Sequence, residues 1–230
     1  MIRAALVGAV LAGPAAAEIT GARYAEPTSA YAHGAVDGGE YARLIIETQL
    51  ESHGFAWTNA VFEDTVPRLA DLDGDGTPEV VAVLSGFQSG ARIQVFDHLG
   101  GRVVPVAASA PIGQRHRWLA VAGIADLDGD GRAEVAYVDR PHLAKVLRIV
   151  EVHRTDGVWQ ITEEAAATGH TNHRYGAPVI EGGVFDCGNG PEIITANADW
   201  SRAQATRLEA GKLISRDMGA YTGPDSLRCR

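Results

Sequence analysis

Short apolar runs with period-two alternation recur along the chain, separated by turns rich in glycine and aspartate. Such alternation, together with many β-branched residues, predicts half-buried β-strands. One series of predicted strands comprises residues 79–84, 91–97 and 102–108. A second series in the same order comprises residues 134–138, 146–152 and 158–163. The segment most like an amphipathic helix, residues 40–51, is also better explained as a strand, so the pattern predicts an all-β protein.

The strands belong to an internal repeat. Residues 68–83 match residues 123–138 almost position by position, and Asp71 and Asp126 lie 55 residues apart. A decayed copy follows at residues 183–195, and a weaker one precedes at residues 33–47. Repeats of this length are typical of propellers and solenoids, in which each repeat is one supersecondary unit.

Four antiparallel strands per repeat predict the blades of a small β-propeller. Four such blades fit one domain over residues 18–230, because radial closure leaves few exposed sheet edges. The predicted blades cover approximately residues 18–66, 67–115, 116–175 and 176–230. A β-sandwich built from the same hairpins is the alternative architecture.

Two copies of an acidic loop, Asp-x-Asp-Gly-Asp-Gly-x-x-Glu, follow the first strand of the two best repeats. Carboxylates at positions 1, 3 and 5 with glycine at position 6 are typical of a calcium loop, in which a backbone carbonyl at position 7 is a further ligand. Closely spaced carboxylates repel one another, and a hard cation relieves that repulsion. We therefore predict two calcium ions, and their candidate ligands are Asp71, Asp73, Asp75, Thr77 and Glu79 in the first loop and Asp126, Asp128, Asp130, Arg132 and Glu134 in the second.

These loops are not EF-hands. An EF-hand needs a glutamate at position 12 between flanking helices, and position 12 holds Ala82 and Tyr137 within predicted strands. The third copy, at Asp186, lacks the acids at positions 3 and 5 and is not expected to bind metal. The alternative for all the loops is a set of Asx-turn hairpins with incidental acids.

The repeats resemble those of the FG-GAP or VCBS family, which form the blades of integrin-α-type propellers. The family pattern is an apolar strand followed by D-x-D-x-D-G-x-x-D, and residues 175–178 (Tyr-Gly-Ala-Pro) resemble another family signature. The resemblance implies calcium in the loop that joins the first two strands of a blade. The chain departs from the family in having glutamate at position 9, and its four predicted blades differ from the seven blades of integrin-type propellers.

Polar residues before the predicted inner strands form a second candidate site. The entrances to inner strands converge near the channel of a propeller, where histidine, arginine and aromatic groups could bind an anion, a sugar or a transition metal. The candidate residues are His33, Asp64, His116, Arg117, His173 and Arg174. Residues 139–142 (Asp-Arg-Pro-His) leave a strand and could form a further binding loop. Surface histidines beside packing aromatics are the alternative explanation.

The two ends of the chain carry further signals. Residues 1–17 have a positive charge, a short apolar stretch and an Ala-Ala-Ala cleavage site, which predicts a signal peptide and a periplasmic or extracellular protein. A disordered or membrane-tethering N-terminus is the alternative. No later apolar run is long enough to predict a transmembrane helix. The only two cysteines, Cys187 and Cys229, suit one disulfide in such a compartment, and the alternative is one buried thiol and one free thiol in the tail.

Composition and motifs limit the function. A formal net charge of −9 argues against a general nucleic-acid binder. Nucleophile-elbow, zinc-protease, P-loop and dinucleotide-binding motifs are absent from the sequence. We therefore expect an exported calcium-binding scaffold rather than an enzyme, with an unknown ligand such as a glycan or a protein. The alternatives are a periplasmic carbohydrate- or ester-active enzyme that uses the histidines and arginines at the funnel, and an adhesion protein recognised through its rim.

Overall fold

A computed structural model describes residues 18–229, and this part of the chain consists mainly of antiparallel strands. Strands account for 57% of the structure and helix for 2%, which confirms the all-β prediction. The predicted signal peptide at residues 1–17 lies outside the described residues. Within residues 18–229, no helix is long and apolar enough to cross a membrane.

The first sheet contains eight strands and is strongly curled. Its path runs β1-β2-β4-β6-β7-β8, while β3 pairs with β2 and β5 pairs with β6. The strands are β1 (Ile19–Pro27), β2 (Glu40–Thr48), β3 (Ser52–Phe55), β4 (Ala60–Glu63), β5 (Arg68–Ala70), β6 (Glu79–Gly86), β7 (Gly90–Leu99) and β8 (Arg102–Ala108). The segment 40–51 is thus mainly strand, as predicted.

Two smaller sheets follow along the chain. The four-stranded sheet has the order β12-β11-β10-β9, and the five-stranded sheet has the order β13-β15-β16-β17 with β14 also paired to β15. Their strands are β9 (Leu119–Ala125), β10 (Glu134–Asp139), β11 (Val146–Thr155), β12 (Val158–Thr168), β13 (His170–Thr171), β14 (Gly183–Asp186), β15 (Pro191–Asn197), β16 (Arg202–Glu209) and β17 (Lys212–Ala220). A short 3₁₀ helix, Pro224–Leu227, follows β17.

The prediction of four separate four-stranded blades is not confirmed. The third predicted blade does form a four-stranded sheet, β9 to β12, but the first two share the eight-stranded sheet. Strand β4 connects the two predicted blades. Its Phe62 pairs with Tyr41 of β2 on one side and with Leu84 of β6 on the other. The short strands β4 and β5 pair with different parts of β6. The alternation in the sequence does not show which strand each of them pairs with.

One hydrophobic core joins segments from all four predicted repeats. Val36, Val81, Trp118 and Val135 are buried in it, and Ile180 packs against it. Near this core the first and last repeats meet directly, through a parallel bridge between residues 36 and 177 and a hydrogen bond from residue 176 to residue 35 at 2.8 Å. Residues 35–36 and 176–177 are therefore held together, close to the cavity described below.

A disulfide ties the end of the chain to the last sheet. Cys187, just after β14, is bonded to Cys229, and their Cα atoms lie 5.3 Å apart. The bond closes a segment with a sequence separation of 42 residues. Leu227, two residues before the second cysteine, is fully buried against β15 and β16 residues of the last core cluster. The C-terminal segment is thus part of the fold.

Candidate metal loops and a histidine-lined cavity

The two acidic loops join β5 to β6 and β9 to β10 and have the same internal hydrogen bonds. In the first loop, Asp71 Oδ1 accepts the Gly74 N–H at 2.8 Å and Asp71 Oδ2 accepts the Gly76 N–H at 3.0 Å. Asp126 makes the corresponding bonds at 2.7 and 3.0 Å. The position-6 residue has a φ of 89° in the first loop and 91° in the second, a backbone conformation that favours glycine.

The glutamate at position 9 closes each loop from inside the protein. Glu79 Oε2 accepts the backbone N–H of Leu72 at 2.8 Å, and Glu134 Oε2 accepts that of Leu127 at 2.6 Å. Both glutamates and both leucines are buried. The apolar residue at position 2 therefore anchors the loop in the core, while the glutamate holds its backbone.

Carboxylates converge in each loop. Oxygen atoms of Asp71, Asp73 and Glu79 all lie within 4.8 Å of one another. The triad of Asp126, Asp128 and Glu134 meets the same limit. Each loop thus places three oxygen ligands where one cation could contact them all.

The aspartates at position 5 lie outside these triads. Asp75 Oδ1 accepts the N–H of Thr77 at 2.8 Å, and Asp130 Oδ1 accepts the N–H of Arg132 at 2.8 Å. These two aspartates therefore support the turn through hydrogen bonds to its backbone. Ligation by Asp75, by Asp130 and by the carbonyl groups at position 7 stays a prediction.

The electrostatics of the triads favour a bound cation. Burial, reinforced by neighbouring carboxylates including those of the loop, raises the pKa of Glu79 to about 8 and that of Glu134 to about 8. Glu134 Oε1 is buried without a hydrogen-bond partner. Such groups are costly to bury unless they are paired, protonated or bound to a metal. The donors are hard oxygen atoms, so the residues present fit a hard divalent cation such as calcium.

In the two decayed repeats, the acidic side chains accept backbone hydrogen bonds or form an ion pair. Asp186 Oδ1 accepts the N–H groups of Gly188 and Gly190, and the glutamate that follows, Glu192, pairs with Arg216 at 2.7 Å. Among the described residues, no acidic triad forms around Asp186. In the first repeat, the Glu40 carboxylate accepts backbone N–H groups of residues 32, 33 and 34 at 2.6–3.0 Å.

A cavity of about 460 Å³ lies where the β1–β2, β8–β9, β10–β11 and β13–β14 connections meet. The residues that line it are Ala32, His33, His116, Arg117, Trp118, Arg140, Pro141, His142, Leu143 and Tyr175. The rings of His33 and His116 are stacked with centroids 4.9 Å apart, and Tyr175 donates its hydroxyl hydrogen to the carbonyl of His33. Imidazole, aromatic and guanidinium groups therefore surround one open space.

A buried carboxylate orients His33. The Nδ1 atom of His33 lies 2.5 Å from Glu63 Oε1, and the Ser85 hydroxyl donates to Glu63 Oε2 at 2.6 Å. Glu63 is fully buried, so this pairing fixes the imidazole ring. When Nδ1 donates to the carboxylate, a neutral His33 keeps an unprotonated Nε2.

His142 lines another side of the cavity and pairs with His173, which lies behind the cavity wall. His173 Nε2 donates to the carbonyl of Ala177 at 2.9 Å, so its Nδ1 accepts from His142 Nε2 at 3.0 Å. This order leaves His142 Nδ1 as an acceptor. Burial, together with the nearby histidines, lowers the pKa of His142 to about 4, and burial also lowers the pKa of His173. Both rings are therefore neutral at pH 7.

The structure brings only part of the predicted funnel site together. His33, His116 and Arg117 line the cavity, and His173 lies behind it against Trp118, with ring centroids 4.8 Å apart. Asp64 is instead buried in an ion pair with Arg68 at 2.5 Å. Arg174 lies over the ring of Trp200, 4.0 Å from its centroid, in the last repeat.

Some cavity residues were not in the predicted funnel set. His142 and Arg140 come from the loop 139–142, which the sequence indicated as a separate binding loop, and Trp118 and Tyr175 adjoin predicted positions. Nothing in the sequence indicated that Leu143 lines a cavity, because single exposed leucines are common and do not mark a site. The sequence could not show that this loop and the funnel positions share one cavity.

Comparison with known families agrees with the loop geometry. The model of the FG-GAP-like repeat matches residues 56–137, a range that contains both acidic loops. The chain carries an FG-GAP-like repeat. This match confirms, for residues 56–137, the resemblance to FG-GAP repeats that the sequence indicated. A search of curated proteins found no match to the chain.

Proposed function

We propose that this protein is an exported calcium-binding module whose ligand occupies the histidine-lined cavity. FG-GAP repeats are often calcium-binding, and the repeat suggests a binding or interaction module. The observation that carries the calcium assignment is the duplicated triad, in which a buried glutamate and two loop aspartates converge in the same way twice. In this proposal each loop holds one calcium ion.

Calcium would act on the fold rather than on a substrate. Asp71, Asp73 and Glu79 would hold the first ion, and Asp126, Asp128 and Glu134 the second. A bound ion supplies positive charge that removes the repulsion within each triad. Because both loops connect neighbouring strands, ion binding would hold the ends of these strands in place. The direct contact between the first and last repeats supports a closed, propeller-like arrangement, which belongs to the same proposal.

Calcium titration by calorimetry into chelator-treated protein tests this assignment. The parent protein should take up calcium, and the double variant Asp73→Ala/Asp128→Ala should lose uptake at both loops. The matched control is Asp156→Ala, which removes an acid from a hairpin turn outside the loops. Equal calcium uptake by the double variant and the parent would rule out the loops as the sites.

The cavity supports the binding role through its chemistry. Tyr175 and Leu143 are 61% and 62% exposed and give it an apolar wall. Arg117 has no carboxylate within 4.0 Å among the described residues, so its charge is available to a ligand. Aromatic walls with a few polar groups are typical of small-molecule and glycan sites.

A glycan array, followed by calorimetry with each glycan that binds, tests the cavity. The Tyr175→Ala variant should weaken binding at least tenfold. The matched control is Ile214→Ala on β17, which is 52% exposed and does not line the cavity. If both variants bind the glycans as the parent does, the ligand contacts another surface.

One observation favours a hydrolase as a second candidate. Glu63 orients His33, and the free Nε2 could accept a proton from a water molecule that attacks an ester or a glycoside. Glu63→Gln should then abolish hydrolysis of nitrophenyl ester or glycoside probes while the calcium uptake is unchanged. If the parent does not hydrolyse these probes, the binding role stands alone.

A further inference from the structure

Glu134 belongs to two carboxylate clusters at once. One is the loop triad with Asp126 and Asp128, and the other joins Glu134 to Glu151 on β11 and Glu164 on β12. In the second cluster one oxygen from each residue lies within 4.8 Å of the others. Glu151 is directly opposite Glu134 in the strand pairing, and Glu164 occupies a β-bulge of β12. The sheet itself therefore brings the three acids together, independently of the loop.

Two oxygen atoms of this second cluster have no hydrogen-bond partner. Glu134 is 0% exposed; its Oε2 is used by the Leu127 N–H, and its Oε1 is buried without a partner. Glu164 Oε2 is likewise buried without a partner. Leaving a buried carboxylate oxygen unsatisfied is costly, so these atoms indicate a missing positively charged group.

The neighbouring side chains do not supply enough positive charge. Arg132 contacts Glu151 at 3.0 Å and His153 contacts the same oxygen at 2.6 Å, whereas within the described residues Glu164 has no cationic partner within 4.0 Å. Arg132 is also half exposed, so solvent screens its charge.

The first loop lacks the equivalent arrangement and provides an internal comparison. At the matching β-bulge, β8 carries Val106 in place of Glu164. The residue that corresponds to Glu151 is Asp97, and its carboxylate accepts the indole N–H of Trp159 at 3.1 Å. The first loop is therefore backed by one carboxylate, that of Asp97, which has a hydrogen-bond donor, whereas the second loop is backed by two, those of Glu151 and Glu164.

We propose that Glu134, Glu151 and Glu164 bind an additional calcium ion behind the second loop, with Glu134 shared between this ion and the loop ion. All three residues offer hard carboxylate oxygens, which suit calcium. A shared carboxylate between two calcium ions lets both be held close together. The inference rests on the proposed calcium binding by the second loop, because Glu134 belongs to both sites. The additional ion is nevertheless separate from the loop ion and lies in the cluster of Glu134, Glu151 and Glu164.

Native mass spectrometry of residues 18–230 in calcium, with and without chelator, counts the ions. The parent should bind three. Glu164→Val, which reproduces the first loop, and the isosteric Glu164→Gln should each bind two. The matched control is Glu163→Gln, which changes the adjacent, exposed acid that pairs with Arg148 and should leave three ions.

Two results would overturn the additional site. One is a parent protein that binds only two ions. This holds even if Glu164→Gln lowers the affinity for one of those two ions. The other is a Glu164→Gln variant that still binds three. Failure of the loop assignment has a different signature, because Asp73→Ala would then leave the ion count of the parent unchanged. Circular dichroism of each variant shows whether it is folded, and Glu164→Gln keeps the volume of the side chain if Glu164→Val does not fold.

Discussion

The carboxylate of Glu79 accepts the backbone N–H of Leu72 across the first acidic loop, at 2.8 Å. Both residues are buried, so this bond connects the loop to the core. The same bond recurs in the second loop at 2.6 Å. Glutamate at position 9, which departs from the aspartate of the family pattern, thus has a structural use: its longer side chain reaches the backbone of position 2.

Substitutions of Glu79 should separate its two uses. Glu79→Ala leaves a buried N–H unsatisfied and should lower the free energy of unfolding by about 1–3 kcal/mol even without calcium. Glu79→Gln keeps an acceptor for that N–H, so it should cost less than Glu79→Ala in chelator and yet lose calcium stabilisation. Urea unfolding with and without calcium measures both effects. Equal losses for the two variants in chelator would contradict a role for the hydrogen bond.

Calcium should stabilise the fold modestly at each loop. Calcium sites of extracellular modules have a Kd on the order of 10⁻⁴–10⁻³ M. At about 1 mM calcium such a site adds about 0.4–1.4 kcal/mol to the free energy of unfolding. Asp73→Ala and Asp128→Ala should each remove the contribution of their own loop, which differential scanning calorimetry can measure as a smaller rise in Tm. Loss of a measured binding or catalytic activity at unchanged Tm would instead indicate that calcium acts on the ligand.

His170 should make stability depend on pH. Burial lowers its pKa to about 4, against an ordinary value of about 6.5, and its Nδ1 lies 3.0 Å from the Thr195 hydroxyl. Between these two values the unfolded state binds more protons than the folded state. The contribution of His170 is therefore present above about pH 6.5 and is lost as the pH falls toward 4. NMR titration of the imidazole should give a pKa near 4, and a value near 6.5 would contradict this prediction.

A comparison with His170→Gln isolates this contribution from that of the acids. The variant replaces a titrating ring by a neutral amide, so its free energy of unfolding should fall less than that of the parent between pH 6.5 and 4. Chemical unfolding at several pH values in chelator provides the comparison. Parallel curves for the two proteins would show that His170 does not carry the effect.

The disulfide should contribute strongly to stability. Cross-linking over a sequence separation of 42 residues restricts the unfolded chain and accounts for about 4 kcal/mol in the chain-entropy description. Cys187→Ser/Cys229→Ser should therefore unfold at a lower urea concentration, and reduction of the parent should have a similar effect. An unchanged unfolding midpoint would show that the tail is held by its packing, including that of Leu227, rather than by the bond.

Local structure could be predicted well from the sequence because its signals are local. The alternation in residues 91–97 matches β7, the apolar runs at residues 79–84 and 102–108 match β6 and β8, and the repeated acidic loops follow β5 and β9 as expected. Glycine at position 6 and the leucine at position 2 dictate the loop conformation within a few residues. These features depend on neighbours in the chain rather than on distant partners.

The arrangement of the strands could not be predicted in the same way. Nothing in residues 60–63 indicates that β4 pairs with both β2 and β6 and so merges two repeats into one sheet. The second carboxylate cluster depends on a β-bulge that places Glu164 near Glu134, and the His142–His173 contact joins two loops 31 residues apart. Such contacts arise from tertiary packing, which periodicity does not encode.

Anomalous diffraction from crystals grown in calcium tests the central claim most directly. We expect a calcium peak in each acidic loop, with oxygens of Asp71, Asp73 and Glu79 around the first and of Asp126, Asp128 and Glu134 around the second, at about 2.3–2.6 Å. Loops without anomalous peaks at millimolar calcium, or loop carboxylates turned toward solvent, would contradict it.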